Sequence, residues 1–291
     1  MTRPVIVTDS TADLTPEEIR EYGIIVVPLN IHFGSRVYQD GVDLDREEFF
    51  ELLEESPSRP ATSSPSVATF QETYEDACDQ TDQVISIHIS AKLSDTIRRA
   101  RQAADTMLGQ CRIMVIDSQS TSVGLGLLVK AAARAAAAGQ STDEIVRMLR
   151  GMISHIYLVF FVETLDFLER GGRIGKAQAL LGTMLNIKPM LILEEGEIEP
   201  LEKVRTRGRA LDKLTEFVAE FGAIDSLTII HNQSPPEELE ELISQIRQAR
   251  PNEPDLDIRV AHYGPVLAAH VGPDALGIVV YEGLRENPWD W

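Results

Sequence analysis

The chain has 291 residues, 43% of them hydrophobic and 25% charged, so it is long enough to bury sizeable cores and to form two domains. Its formal net charge of −19 opposes nucleic-acid phosphates, which excludes DNA and RNA as expected partners. No secretory signal is recognisable, and the alanine-rich segment 123–139 is too short and too charged to cross a bilayer. We therefore predict a cytoplasmic protein that makes at most transient contact with membranes.

Short apolar runs rich in β-branched residues alternate with helical patterns in the first half of the chain. The runs that predict buried strands are residues 5–9, 24–29, 84–90 and 113–117. The helical patterns between them are residues 16–21, 46–55, 66–79 and 96–108. This alternation predicts a parallel sheet with helices on both faces, which is a three-layer domain. We also predict a hairpin that turns at Gly34 and Ser35, and a loop over the Pro-rich segment 56–66.

The order of elements changes after the helical pattern at 142–152. A strand at 157–163 is followed by two strand patterns that flank a Glu-Gly turn, which is typical of an antiparallel pair. The remaining patterns are a helix at 207–221, a strand at 226–231, a helix after Ser234-Pro235, and strands at 257–262 and 276–282. The predicted fold class is α/β with two α/β domains. Residues 1–152 form an N-terminal three-layer domain with a parallel sheet, and residues 153–291 form a C-terminal two-layer domain with a mixed sheet.

Hydroxyl side chains follow the predicted strands of the first domain. The carboxyl ends of parallel strands meet at one edge, where α/β proteins bind ligands. The hydroxyls expected along this edge are Ser10, Thr11, Thr62, Ser63, Ser64, Ser94, Thr96, Ser118 and Thr121. Each of them also suits a helix N-cap, but residues 62–64 supply three hydroxyls where one cap needs a single hydroxyl. The group as a whole favours a ligand site.

Motifs of nucleophilic, metal-dependent and nucleotide-dependent catalysis are missing from the sequence, which has no GxSxG, HExxH or GxxxxGK[ST]. The six histidines lack metal-ligand spacing. Asp9, Asp40 and Asp117 are candidates for acid–base chemistry, but the sequence does not bring them together. Cys78 and Cys111 have neither CxxC spacing nor a neighbouring histidine, which predicts reduced structural thiols. These observations favour a binding protein without a cofactor over an enzyme.

Two arginines of the second domain, Arg170 and Arg173, flank a Gly-Gly pair. Their guanidinium groups suit a carboxylate, and the same residues are equally typical of a helix C-terminus. The apolar residues that follow are Leu180, Leu181, Met184, Leu185 and Ile187, which suit a core or a ligand pocket. His270, between two Gly-Pro turns, is typical of a hydrogen-bonded structural residue.

Successive segments of the chain resemble the motifs of the DegV family, in the order of that family and over essentially all of the chain. They are VTDSTADL, ATSSPS, ISIHISAKLSDT, VIDSQSTSVGLG, LDFLERGGRIGKAQALLGTMLNIKPML, KVRTRGRAL and GPVLAAHVGPDALG. The resemblance implies a fatty-acid-binding protein that holds a long-chain fatty acid, such as palmitate, stearate or oleate, between its two domains. It also implies an ATP-dependent fatty acid kinase subunit as partner, which makes acyl phosphate for phospholipid synthesis.

The resemblance also implies roles for individual residues. The residues expected to bind the fatty acid are Thr62, Ser63, Ser94, Thr96, His270 and Arg170. Arg173 and Arg205 are expected to contact the kinase or the acyl phosphate. No residue is expected to be catalytic, and no metal site is expected.

Two aspartates, Asp95 and Asp274, stand where the family has glycine. Either Asp95 points away from Ser94 as an acidic residue at a helix N-terminus, or the chemistry of the headgroup differs. Two other functions stay open. One is an enzyme, a phosphotransferase or hydrolase, that uses Asp9 or Asp117 with His270 in the same crevice. The other is a family member that has lost fatty acid binding.

Overall fold

The computed structural model describes residues 3–56, 58–181 and 187–283. Its backbone forms two compact units, one made of residues 1–153 and 264–270 and the other of residues 154–263 and 271–291. The division into consecutive domains at residues 1–152 and 153–291 stays a prediction. It differs from the two compact units because residues 264–270 belong to the first unit.

A parallel sheet forms the centre of the first unit. Its strands are β1 (Val5–Asp9), β2 (Ile25–Val27), β6 (Gln83–His88) and β7 (Arg112–Asp117). They lie in the order β2-β1-β6-β7, and every neighbouring pair is parallel. The helices of this unit before residue 154 are α1 (Pro16–Tyr22), α2 (Arg46–Glu55), α3 (Val67–Cys78), α4 (Thr96–Thr106), α5 (Ser122–Ala137) and α6 (Thr142–Ile153). The predicted parallel sheet is confirmed.

Helices cover both faces of this sheet because its strands are apolar on both faces. Val7 and Val84 pack in a core with Phe70 and Tyr74 of α3, to which α4 also contributes. Alternate strand residues such as Ile6 point to the opposite face, where α5 packs against β1 and β6. The small side chains of the alanine-rich helix let it approach the sheet closely. The predicted three-layer arrangement is confirmed.

A second, antiparallel sheet in this unit contains β3 (Asn30–Phe33), β4 (Arg36–Gln39) and β5 (Ala61–Ser63) in the order β4-β3-β5. The predicted hairpin is confirmed as β3 and β4. The prediction of a loop over the whole of 56–66 was wrong, because β5 lies within it and pairs Thr62 with Ile31 of β3. A run of three residues between prolines is too short to show a periodicity in the sequence. Residues 61–63 form a strand because they pair with the edge of β3.

The second unit is built on a mixed six-stranded sheet. Its strands are β8 (Ile156–Phe161), β9 (Lys188–Glu194), β10 (Glu197–Val204), β11 (Ser226–His231), β12 (Ile258–His262) and β13 (Leu276–Tyr281). In the order β10-β9-β8-β13-β11-β12, only β11 and β12 are parallel neighbours. This confirms the predicted mixed sheet and the antiparallel pair around the Glu-Gly turn.

In the described part of the second unit, the helices are α7 (Asp166–Arg170), α8 (Arg207–Ala219) and α9 (Pro236–Ala249). Leu214 of α8 and Leu242 of α9 pack in one core with Phe161 and Ile229 of the sheet. A further helix, α10 (Pro265–Val271), stands where the sequence predicted a pair of Gly-Pro turns. The prediction was wrong at Gly264-Pro265, because proline is also favoured in the first turn of a helix, whereas Gly272-Pro273 follows α10 and does form a turn.

The two cysteines form a disulfide, so the prediction of reduced thiols was wrong. Cys78 ends α3 and Cys111 precedes β7, and their Cα atoms are 5.9 Å apart. The packing of α3 beside the sheet brings them together, and their separation of 33 residues in the sequence gives no sign of it.

The apolar segment after Arg173 begins as a 3-10 helix, Gly175–Leu180, in which Leu180 is buried. Met184 and Leu185 lie outside the described residues. In the part of the chain that the structure describes, no helix has both the length and the apolar character needed to span a membrane.

Candidate functional site

Thr62 and His270 are predicted ligand-binding residues that lie far apart in the sequence and that the structure joins directly. Thr62 lies in β5 and His270 in α10, and both belong to the first unit. Thr62 Oγ1 and His270 Nε2 share a hydrogen bond of 2.7 Å. Both side chains are half-buried. A histidine N–H that donates to the threonine oxygen leaves the hydroxyl proton free to bind an anion.

Ser63 points to the opposite face of β5, because successive strand residues alternate. Its Oγ lies 2.8 Å from Nε2 of His32 and accepts a 3.5 Å hydrogen bond from Nδ2 of Asn30. Both partners lie in β3, beside β5. The side chains of Thr62 and Ser63 therefore have separate surroundings, and only that of Thr62 contacts His270.

Ser94 and Thr96 form a second hydroxyl pair at the start of α4. Their hydroxyl oxygens are 2.8 Å apart, and Ser94 Oγ also accepts a hydrogen bond from the backbone N–H of Thr96. Asp95 points outward, with a side chain 58% exposed and a 2.8 Å ion pair to Arg98 one turn along the helix. This settles the orientation left open by the sequence: Asp95 is an acidic residue at a helix N-terminus.

Asp9, at the end of β1, is fully buried and accepts four hydrogen bonds. Oδ1 accepts from the backbone N–H and the hydroxyl of Thr11, and Oδ2 accepts from the backbone N–H of Ile89 and binds His88 Nδ1 at 2.9 Å. The other ring nitrogen of His88 lies 2.6 Å from Ser86 Oγ, which also binds the hydroxyl of Tyr74. We call these residues the Asp9 network. Since all of these side chains are buried, the network links β1, β6 and α3 rather than facing solvent.

Asp40 and Asp117 have different surroundings. Burial raises the pKa of Asp40 to about 6; the negative charge of Asp9 acts in the same direction, and a hydrogen bond from Ser10 opposes it. Asp117 accepts hydrogen bonds from the backbone N–H groups of Ala91 and Gln119, which organises the loops after β6 and β7. The three aspartates are thus used in different ways.

The predicted arginines lie in the second unit. Arg170 is the last residue of α7 and is exposed, and Arg205 is exposed two residues before α8. Arg173 is half-buried and donates a 2.6 Å hydrogen bond to the carbonyl of Gly171. Gly172 adopts the left-handed φ of +68°. The RGGR segment is therefore a helix C-terminus, as one of the two interpretations predicted.

Sequence reasoning missed Arg207, which forms the largest ion-pair network of the second unit within the described residues. It binds Glu238 with two nitrogens at 2.7 and 2.8 Å, Glu163 at 3.1 Å and the carbonyl of Asp274 at 2.9 Å. Burial opposes the ionisation of Glu163, but hydrogen bonds from Lys188 and Arg207 outweigh it and hold the pKa of Glu163 below its usual value. The only sign of Arg207 in the sequence was its position at the start of a predicted helix.

Together these features define an α/β protein with one parallel-sheet unit and one mixed-sheet unit, whose first unit carries a half-buried hydroxyl–histidine pair. Comparison with known proteins gives the family. The family model described as "Uncharacterised protein, DegV family" matches residues 4–283, and the chain belongs to the DegV family.

Individual relatives match over nearly their whole length. A DegV domain-containing protein of Deinococcus radiodurans is 38% identical over 281 residues, which are 94% of this chain and 97% of that protein. A solved structure from Thermus thermophilus, described as fatty acid binding of a DegV family protein, is 35% identical with a TM-score of 0.84 and covers 97% of this chain and 100% of its own. A fatty acid (stearic acid)-binding protein from Eubacterium ventriosum is 27% identical with a TM-score of 0.84, covering 97% and 99%.

Proposed function

We propose that this protein binds a long-chain fatty acid and that the carboxylate is received by Thr62 and Ser94, with His270 as a supporting donor. The hydrogen bond between Thr62 and His270 carries this proposal, because in the tautomer whose Nε2–H donates to Thr62 Oγ1 the hydroxyl proton is directed to a ligand. The Thermus and Eubacterium proteins are described as binding fatty acids, which supports the same class of ligand here.

The energetics suit such a ligand. Burying about fourteen methylenes at roughly 0.8 kcal/mol each contributes on the order of 11 kcal/mol before the costs of association. Hydrogen bonds to a charged carboxylate add about 1.5 to 3 kcal/mol each. The acyl chain would therefore supply most of the affinity, while the few hydroxyls fix the orientation. The course of the acyl chain stays the prediction made from the resemblance.

The finer proposal is that this protein has no catalytic group of its own and presents the fatty acid to a kinase subunit. Asp9 is buried with both oxygens engaged, which argues against its use as an acid or base on a ligand. The outward position of Asp95 removes one reason to expect lost binding. Ser63, Thr96 and Arg170 remain proposed contacts of the fatty acid, and Arg173 and Arg205 remain proposed contacts of the kinase or of acyl phosphate.

The decisive experiment is native mass spectrometry of freshly purified protein, followed by denaturing extraction and identification of the lipid. We expect a one-to-one mass excess from a fatty acid. Thr62→Ala and Ser94→Ala should each weaken the binding of added oleate by about tenfold or more. Thr73→Ala is the matched control, because its hydroxyl donates only to a carbonyl within α3.

A protein that carries no fatty acid and takes up neither palmitate nor oleate would contradict the proposal. Turnover by the isolated protein, without a partner, would favour the enzyme instead.

A further inference from the structure

Asp13 has an unusual backbone conformation at the edge of the first unit. It ends the short 3-10 helix Ser10–Ala12 with φ +47° and ψ +40°, in the left-handed region that side chains other than glycine rarely adopt. Ser122, at the start of α5, also has a positive φ, +53°. A residue in a strained backbone conformation persists only where its surroundings hold it. The contacts of Asp13 and Ser122 therefore indicate the role of their conformations.

The carboxyl group of Asp13 bridges two elements. Oδ2 accepts a hydrogen bond of 2.5 Å from the hydroxyl of Ser122, and Oδ1 accepts one of 3.0 Å from the backbone N–H of Gly264. The approach to Gly264 is close, because a Cβ atom at that position would lie 2.6 Å from Asp13 Oδ1. Only glycine fits there without displacing the carboxyl group.

Gly264 begins α10. Its carbonyl accepts the backbone hydrogen bond of Ala268, at 3.0 Å, which forms the first turn of that helix. His270 lies near the other end of the same helix and binds Thr62. One short helix therefore connects the carboxyl group of Asp13 to the hydroxyl group of Thr62, and all of these contacts lie within the first unit.

We propose that Asp13 is a positioning residue of the headgroup site, which fixes the start of α10 and thereby sets His270 against Thr62. The proposal rests on the function proposed above and adds to it a residue that does not itself touch the ligand.

The charges around Asp13 add a second property. Burial raises the pKa of this carboxyl to about 8, and the nearby charges of Asp40 and Asp9 act in the same direction, while hydrogen bonds from Ser122 and Gly264 oppose them. Asp40 lies after β4 and Asp9 at the end of β1, and their negative charges both raise the pKa of Asp13. At neutral pH the raised pKa favours the protonated carboxyl group, whose two oxygens accept from the hydroxyl of Ser122 and from the backbone N–H of Gly264. Ionisation as the pH rises through about 8 places a third negative charge beside Asp40 and Asp9. It makes this arrangement of Asp13 and α10 less favourable overall, although the hydrogen bonds from Ser122 and Gly264 themselves favour the charged form.

The test compares Asp13→Asn, Asp13→Ala and Gly264→Ala with wild type. The dissociation constant of the fluorescent fatty acid cis-parinaric acid is measured from about pH 6.5 to about pH 9.5. Wild type should bind more weakly as the pH rises through 8. Asp13→Asn mimics the protonated acid, so it should bind within about twofold of neutral wild type and lose the pH dependence. Asp13→Ala and Gly264→Ala should each lose about tenfold or more, and their combination should lose no more than either alone.

Three controls separate positioning from general damage. Gly208→Ala adds a Cβ into open space on α8 and should change nothing. Thr62→Ala should weaken binding by the same factor at every pH, because it removes the headgroup contact itself. Hydrogen exchange of residues 265–271 in the free protein should accelerate in Asp13→Ala and Gly264→Ala, but not in Asp13→Asn.

Wild-type affinity in Asp13→Ala, an unchanged pH profile in Asp13→Asn, or unchanged exchange in α10 would each overturn the proposal. If Asp13→Ala does not fold, Asp13→Asn and Gly264→Ala decide the question. If wild type binds no fatty acid, the proposed function fails, while the exchange comparison still shows whether Asp13 holds α10.

Discussion

Asp9 and Asp13 lie four residues apart at the end of β1, and the structure uses their carboxyl groups in opposite ways. Asp9 has ordinary extended backbone and is surrounded by donors from Thr11, His88 and Ile89. Asp13 has strained backbone, two donors and two negative neighbours. A buried carboxylate whose oxygens all accept hydrogen bonds stabilises the fold. A carboxyl group with a raised pKa instead lowers the stability of the folded state at pH values above the ordinary pKa of aspartate.

Two aspartates within one short segment therefore need not have the same role. The Asp9 network joins strands to a helix inside the core, where its side chains are buried. The contacts of Asp13 lead instead through Gly264 and α10 to Thr62. Stability measurements should therefore respond mainly to Asp9, and pH-dependent measurements mainly to Asp13.

The largest expected effect is that of Asp9→Ala. The change leaves the buried N–H groups of Thr11 and Ile89 and the ring of His88 without their acceptor, so we expect a loss of about 3 to 5 kcal/mol in the free energy of unfolding. Urea unfolding measures it. Asp105→Ala, on the exposed side of α4, is the control and should change stability by less than about 0.5 kcal/mol. A loss below about 1 kcal/mol for Asp9→Ala would mean that the network contributes little.

The second expected effect is a pH dependence that belongs to Asp13. Because its folded pKa of about 8 lies above the ordinary aspartate value of 3.8, the folded state keeps a proton that the unfolded state releases between those values. Stability should therefore fall as the pH rises from about 4 to about 8, with a slope of at most about 1.4 kcal/mol per pH unit. Asp13→Asn has no such proton, so it should gain at least about 1.4 kcal/mol over wild type between about pH 5 and pH 8.

Parallel stability curves for Asp13→Asn and wild type would contradict this expectation. Asp40→Asn sharpens the test, because the pKa of Asp40 is raised to about 6 and its own contribution should end near that pH. The negative charge of Asp40 also raises the pKa of Asp13, so its removal should move the upper end of the Asp13 window to lower pH.

The parts of the fold that the sequence predicted well are those with long, regular patterns. The buried β-branched runs of β1, β6 and β7 and the turn between β9 and β10 needed no tertiary information. By contrast, β5 and α10 have three and seven residues, and each depends on a partner elsewhere in the chain. These two short elements carry Thr62 and His270, so the sequence named both residues without showing how they meet.

Asp13 shows the same limit more sharply. The segment DSTADL marks it as part of a polar loop, yet neither its left-handed backbone nor the N–H of Gly264, 251 residues further on, leaves a trace in local sequence. The disulfide between Cys78 and Cys111 was missed for the same reason, since packing rather than spacing joins the two residues.

A smaller effect is expected inside the Asp9 network. Tyr74→Phe removes the hydroxyl that binds Ser86 at 2.8 Å but leaves the contacts of His88 with Asp9 and Ser86 in place. We expect a loss of about 1 kcal/mol in urea unfolding. Tyr38→Phe, on the edge strand β4, removes a half-buried hydroxyl outside the network and serves as the control. A loss as large as that of Asp9→Ala would mean that the network acts as one unit through Ser86.

The smallest effect is expected from Asp95→Gly, although this change restores the glycine that the family motif has beside Ser94. The carboxylate of Asp95 is exposed and paired with Arg98, and it makes no side-chain cap to α4, so its charge is directed away from the Ser94 hydroxyl. Stability should change by less than about 1 kcal/mol, and the affinity for oleate should stay within about twofold. Arg98→Ala breaks the same ion pair from the other side and should leave affinity equally unchanged. A gain in affinity for oleate of about tenfold or more in Asp95→Gly would mean that the charge of Asp95 acts on the bound carboxylate. Asp95 would then have a third role, different from those of Asp9 and Asp13.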